Sequence, residues 1–314
     1  MLKIKKVFAL FCFLPLFINA QGVSDALRLA ETQLGSGARA LGMGNSYIGV
    51  SDDFSALVYN PAGLGLIKRF ELSTGVEYNS FSNSTSFMNS NTKFDKTKTN
   101  LSQIGFVYPL PTVQGSLVFA AGYSQIANFN KVIKYDGYNS GNTSMIQDLT
   151  SKNDDITYDL GLSYAVFSGS TWLNDETLIK GRLNQSAEII QSGSINQYSL
   201  GGAMEVAKNL FVGLTFNAQS GTFKQTKDYY EDDIYDVYGA SFETSPGEAS
   251  TKDFETFNLF DQIDWDLSGY NFQFGMMYML ENRSRIGINV KLPTVYTIKE
   301  KYFVDSYAVF GNSK

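Results

Sequence analysis

Asp52 and Asp53 stand side by side, and paired carboxylates can share acid and base roles in proton transfer. Nothing else in the chain completes a catalytic set around them. Histidine is absent from all 314 residues, which removes the commonest general base and metal ligand and every Ser-His or Cys-His arrangement. Gly42 and Gly44 have the spacing of a phosphate-binding turn, but Tyr47 stands where the third glycine is needed, so there is no dinucleotide fingerprint. No residue is therefore assigned a catalytic or metal-binding role, and no cofactor is expected. The better use of Asp52 and Asp53 is to accept hydrogen bonds from backbone N–H groups and lock the segment that carries them. The following Asn60-Pro61-Ala62-Gly63 is a turn sequence, because Asn-Pro initiates turns and proline fixes φ without offering a donor. Movement of that turn when a ligand binds is a second use for it.

The elements that must hold these residues begin after an export signal. Lys3, Lys5 and Lys6 precede an apolar run over 7–18 that ends near Ala20, the pattern of a signal peptide over residues 1–20. That run is too short to span a bilayer as a helix. Its removal takes away Cys12, the only cysteine, and leaves no thiol chemistry in the mature chain. It also takes three lysines from a formal charge of −6, so phosphate-rich partners are repelled and nucleic acid is not a ligand. Aromatic residues make up 14%, and 28 glycines outnumber the 25 basic residues, a balance that suits strands meeting lipid on one face and water on the other.

No later run of apolar residues is long enough for a membrane helix, so any span must be made of strands, and period two is the test. Phe70, Leu72, Thr74, Val76 and Tyr78 alternate with Glu71, Ser73, Gly75, Glu77 and Asn79. The same alternation marks 104–108, 115–126, 198–206, 210–217, 270–280 and 286–292, giving seven strands. A soluble β-sandwich would alternate equally well, with its apolar face as a shared core. Connections favour the membrane: 109–114, 207–209 and 281–284 are short, whereas 82–100, 128–193 and 221–268 are long, and the two kinds take turns as barrel strands require. Within 128–193, a helix is expected from an Asn174 N-cap, with Leu178, Ile179, Leu183, Ala187 and Ile190 on one face. Residues 154–166 fit helix or strand, and helix is preferred because an extra membrane strand would place the turn at Lys208 on the wrong side. Glu71, Glu77 and Glu205 are expected to face a watery lumen, either solvated or latched to Arg39, Lys68 or Arg69. Asp228, Glu231, Asp232, Asp233 and Asp236 read as a solvated external loop, with divalent bridging to lipopolysaccharide as the other option.

Residues 22–69 differ in character, rich in small residues and poor in alternation, and a plug inside the barrel is the natural use for them. Here Ala38, Ala40, Gly42 and Gly44, then Asp52-Asp53, Ser55-Ala56 and Asn60-Pro61-Ala62-Gly63, follow one another in a way that resembles the N-terminal hatch of the FadL family of outer-membrane transporters. Residues 282–293 are similar to that family's periplasmic turn and outgoing strand ending in proline. The resemblance implies an all-β, antiparallel transmembrane barrel in the Gram-negative outer membrane, with a hatch over 22–69 and a partial barrel over 70–314. It also implies passive uptake of long-chain fatty acids or aromatic hydrocarbons. The residues it assigns to gating are Asp52, Asp53, Asn60, Pro61, Ala62 and Gly63; the cargo would first meet Leu178, Leu183 and Ile190 in the external loop.

The expected partners are a hydrophobic small molecule, the lipid bilayer and lipopolysaccharide, and the outer-membrane assembly machinery. The family closes its barrel with fourteen strands, so seven strands and an ending without a terminal aromatic lead to the expectation that the C-terminal half is missing. An open sheet of that kind would leave edge N–H and C=O groups unpaired in hydrocarbon. The alternative reading is a secretion component like the PorV barrels, which would bind a polypeptide instead of a lipid.

Overall fold

The computed structural model describes residues 23–30, 35–152, 155–280 and 284–311; the expected signal peptide and all but Ser284 of the expected turn 281–284 lie outside them. The chain divides into two units, Met1–Leu34 and Gly35–Lys314. In the first, Val23–Ala30 is a helix (α1) whose Arg28 pairs with Asp25 at 2.8 Å.

The second unit opens with small helical turns, α2 (Ala38–Gly42), α3 (Ala56–Tyr59) and a 3₁₀ helix (Pro61–Leu66), and then becomes sheet. Its strands are β1 (Glu71–Phe87), β2 (Ser90–Leu110), β3 (Leu117–Asn128), β4 (Lys131–Asn139), β5 (Tyr164–Ser168), β6 (Thr171–Glu176), β7 (Leu183–Ala207), β8 (Leu210–Asp232), β9 (Phe254–Met279), β10 (Arg285–Lys291) and β11 (Val295–Phe310). The main sheet runs β1-β2-β3-β7-β8-β9-β10, antiparallel throughout, and the β5–β6 hairpin stands apart from it. β4 continues the line of β3 along β7, and β11 continues the line of β10 along β9. The break between β10 and β11 falls at Pro293, which has no N–H to give to a ladder. Each of the seven alternating segments of the sequence therefore has its own line in the sheet, and β1 and β10/β11 are the two ends of the described path.

The strands are much longer than the alternation predicts. β7, β8 and β9 have 25, 23 and 26 residues, whereas about 9–11 suffice to cross a bilayer. Three expectations change as a result. The loop expected over 82–100 is the far half of a β1–β2 hairpin, turned by Met88 and Asn89 with φ of 46° and 64°, the backbone of a two-residue type I′ turn. The loop expected over 221–268 contracts to 233–253 between β8 and β9. Residues 128–193 are not a helical loop: they hold β4, two short helices, α4 (Met145–Ser151) and α5 (Asp155–Asp159), the β5–β6 hairpin and the start of β7. The helix expected from Asn174 to Ile190 is absent. Asn174 lies in β6, and residues 184–190 pair with both β4 and β8, so ladder bonds on two sides outweigh a helical spacing of five apolar residues. The ambiguous 154–166 segment supplies both α5 and the first residues of β5.

Candidate functional site

The wall of the sheet is inside out. Leu72 and Val76 of β1 are 76% and 72% exposed, and Phe106, Phe119, Leu200, Leu214, Phe274, Met276, Ile288 and Val290 are exposed on the same face of later strands. On the opposite face Gln103, Gln197, Ser199, Thr215, Asn217, Asn271 and Gln273 are buried. A soluble sheet would reverse this, because water favours the polar face; a membrane wall places apolar side chains against lipid. The apolar band has an edge. Tyr123, Tyr198, Ala218 and Tyr270 lie in one cross-strand row, with the Tyr123 and Tyr198 rings 5.7 Å apart, as aromatic girdles do at a membrane surface. Beyond that row the outward face turns polar, with Lys224 opposite Asp264 and Thr226 opposite Gln262. The parts of β8 and β9 past the row are accordingly outside the hydrocarbon.

Inside this wall the polar side chains satisfy one another from strand to strand. Ser199 donates to Asn217, Asn217 to Asn271 at 2.9 Å, and Asn271 to Thr294 at 2.8 Å, while Gln219 donates to Gln197 at 2.9 Å. Above this ladder the Phe129 and Phe223 rings meet edge to face at 5.3 Å, Phe223 packs against a tilted Trp265 at 5.0 Å, and the Trp265 indole donates to Glu300. Below it lies the segment 35–67.

That segment contacts the inner face of the sheet from β2 to β10. Phe54, Leu57 and Leu64 are fully buried against Val107, Val118, Ala120 and Ala203 of the wall. Close approach is possible because the wall offers glycine where the segment lands. Gly105 and Gly122, paired across β2 and β3, lie under the Phe54 ring; Gly213 and Gly275, paired across β8 and β9, lie under Asn60-Pro61-Ala62. A Cβ at any of these four positions would collide with the segment.

Asn60 is fully buried and uses both ends of its amide. Its Nδ2 donates to the Ile48 carbonyl at 2.9 Å and to the Met276 carbonyl of β9 at 3.3 Å, and its Oδ1 accepts from the Ala62 N–H at 3.1 Å, capping the 3₁₀ helix that Pro61 begins. Pro61, Ala62 and Gly63 are buried in the same contact; a side chain on Gly63 would strike the Ser51 backbone. Asp53 accepts from the Ser55 N–H at 2.9 Å and from the Tyr47 hydroxyl at 2.6 Å. Burial, with the Asp53 carboxylate beside it, holds the Tyr47 phenol well above its ordinary pKa, so it stays protonated and donates. Asp52 instead bridges Arg39 and, at 2.8 Å, Arg285 of β10. The two acids therefore do different things, one closing a turn and the other tying the segment to the wall.

The latch is not the one expected. Glu205 accepts from the Asn209 N–H and Glu77 from Asn79, each within its own strand region, while Arg285, Gln103 and Gln273 make the long-range ties. Gln103 accepts from Ser36, and Gln273 donates to the Val58 carbonyl at 3.1 Å. Glycines and glutamines on the wet face of the alternation were the available signal for these positions.

The residues expected to meet cargo are not grouped on a helix face. Leu183 is fully buried with Ile146, Leu162, Ile179 and Phe257 in a core at the far end of the strands; Ile190 is half-buried in β7 between Val132 and Thr226; Leu178 is half-buried in the bend before β7. In the same core Glu231, expected in a solvated loop, is fully buried in β8. It accepts from the Met145 N–H at 2.7 Å, from Gln185 and Tyr229 at 2.8 Å each, and from the Ile146 N–H, so it holds the first turn of α4 in place. Among the described residues no group of acidic side chains is arranged to hold a metal ion.

A family model described as outer membrane protein transport protein (OMPP1/FadL/TodX) matches residues 16–312. No curated protein and no solved structure matches the chain.

Proposed function

Because the chain belongs to the OMPP1/FadL/TodX family of outer membrane transport proteins, we propose that it takes up long-chain fatty acids or aromatic hydrocarbons passively, with residues 35–67 as the gate. The observation that carries this reading is the seating of Asn60-Pro61-Ala62 on the Gly213–Gly275 pair. One buried amide ties the turn to Ile48, to Met276 and to the start of its own 3₁₀ helix, so any shift of the turn breaks several bonds together. A contact of that kind has two discrete states, seated or released. Phe54, Leu57 and Leu64 cover the inner wall in the seated state, and a hydrophobic solute can descend past them only when the segment withdraws. Apolar cargo is held by burial, at about 25 cal/mol for each Å² removed from water, and needs no energy source. The family transports rather than transforms its ligands, and the chain carries no histidine for acid–base work.

Binding of radiolabelled oleate to the detergent-solubilised protein tests the proposal. Saturable binding that Asn60→Ala and Pro61→Ala weaken is the expected result; no binding to a well-folded barrel would sink it. One observation favours a protein partner as the second reading: Phe167, Trp172 and Leu173 of the β5–β6 hairpin, with Ile234 and Tyr235, are exposed beyond the membrane band.

A further inference from the structure

On the outward face of the same wall lies a groove of about 800 Å³, lined by Phe119, Leu214, Phe216, Phe274, Met276 and Ile288 among others. Its cause is in the register. Phe119, Gly202, Leu214, Phe274 and Val290 form one row across β3, β7, β8, β9 and β10, and Gly202 is the only member without a side chain. The inward positions nearby are small as well: Gly201, Ala203, Gly213 and Gly275 border the groove from within the sheet. The wall is therefore thin at this point, with the groove on one side and Asn60-Pro61-Ala62 on the other. Met276 joins the two, its side chain lining the groove and its carbonyl accepting from Asn60.

We propose that this groove is a binding site for an acyl chain of a bilayer lipid. It is continuous with the exposed apolar band that faces the membrane, so the molecules it meets are the hydrocarbon chains of the surrounding leaflets. Its size falls within the range of about 300–1,000 Å³ typical of small-molecule sites. A row of bulky side chains interrupted by one glycine leaves a slot that a flexible chain fills better than a flat belt would allow, since dispersion contact is lost wherever a gap remains. The occupant is a resident lipid, not the transported solute, because the sheet separates the groove from the interior. A chain seated there also backs the β8–β9 wall where the gating turn rests.

The full chain reconstituted in nanodiscs containing a phospholipid with a mid-chain diazirine provides the test. After irradiation, adducts mapped by mass spectrometry should be enriched several-fold at Phe274, Met276 and Phe119 over Leu72, Val76 and Ile104, which are equally or more exposed in the same band. Gly202→Phe should remove that enrichment while leaving the β1–β2 adducts unchanged, and an excess of oleate should leave it intact. Uniform labelling of the band in the unmodified protein, which needs no variant, overturns the site. Loss of the enrichment on adding oleate assigns the groove to cargo and overturns the lipid.

Discussion

Gly275→Ala is the smallest change that separates the gating turn from the wall. The new methyl would lie 2.8 Å from the Ala62 nitrogen and 2.9 Å from Pro61 Cδ, and closer still to Asn60 Oδ1. Two of these three neighbours belong to a buried backbone turn that cannot swing aside as the end of a flexible side chain does. Forcing a methyl into such a contact costs about 1–3 kcal/mol. If the turn lifts to relieve it, Asn60 loses its bond to the Met276 carbonyl and strands polar groups that are fully buried, for roughly another 1–3 kcal/mol. The docked state should therefore weaken by about 2–6 kcal/mol, and since each 1.4 kcal/mol is tenfold, amides such as Ala62, Gly63 and Ile67 should exchange roughly thirty to twenty thousand times faster. Hydrogen–deuterium exchange in detergent micelles reads this directly. Met276→Ala is the control: it is the next residue, its side chain points to the membrane face, and its carbonyl is retained, so exchange in the turn should be unchanged. Protection of 60–67 that is the same in Gly275→Ala as in the unmodified protein would refute the idea that the glycine pair seats the turn.

The Asp52–Arg285 tie is part-exposed on both sides and Arg39 shares the carboxylate, so a double-mutant cycle should give a coupling below about 1 kcal/mol that shrinks as salt is added; a coupling of several kcal/mol would mean the pair is far drier than its exposure indicates. Leu183→Ala should cost about 2–5 kcal/mol in the outer core, measured by thermal melting, and a neutral result would show that this core is not packed around β7. Burial raises the Glu231 carboxyl above its ordinary pKa, partly offset by its donors Met145, Tyr229, Gln185 and Ile146, and the residue sits beyond the membrane band. The folded state then holds the proton at pH values where the unfolded chain has released it, so stability should fall as pH rises from the unfolded pKa through the folded one and level off above. Melting curves of Glu231→Gln should lack that slope; an unchanged slope would assign it to another group.

Much of the wall was legible because period two needs only local order: side chains alternate across a strand, so Leu72, Val76 and Tyr78, or Phe272, Phe274, Met276 and Tyr278, declare a common face before their partners are known. Which medium that face meets is not local. A sandwich and a membrane wall share the alternation, and the exposure of the apolar set beside the burial of Gln197, Asn217 and Gln273 is what separates them. Strand length was lost where both faces are wet, as in the outer half of the β1–β2 hairpin, since no contrast remains to reveal the period. The supposed helix through Leu183 and Ile190 failed for the complementary reason: a few apolar residues at helical spacing carry less free energy than ladders on both sides.

The sequence by itself determined the absence of histidine chemistry, seven lines of alternation and the turn at Asn60-Pro61, because each depends on residue type or nearest neighbours. Only the tertiary structure decided that Gly213 and Gly275 meet under that turn, that Asp52 reaches Arg285, and that Glu231 is buried under α4. These are contacts between residues far apart in the chain, fixed by strand register, and a register is settled by the whole sheet at once.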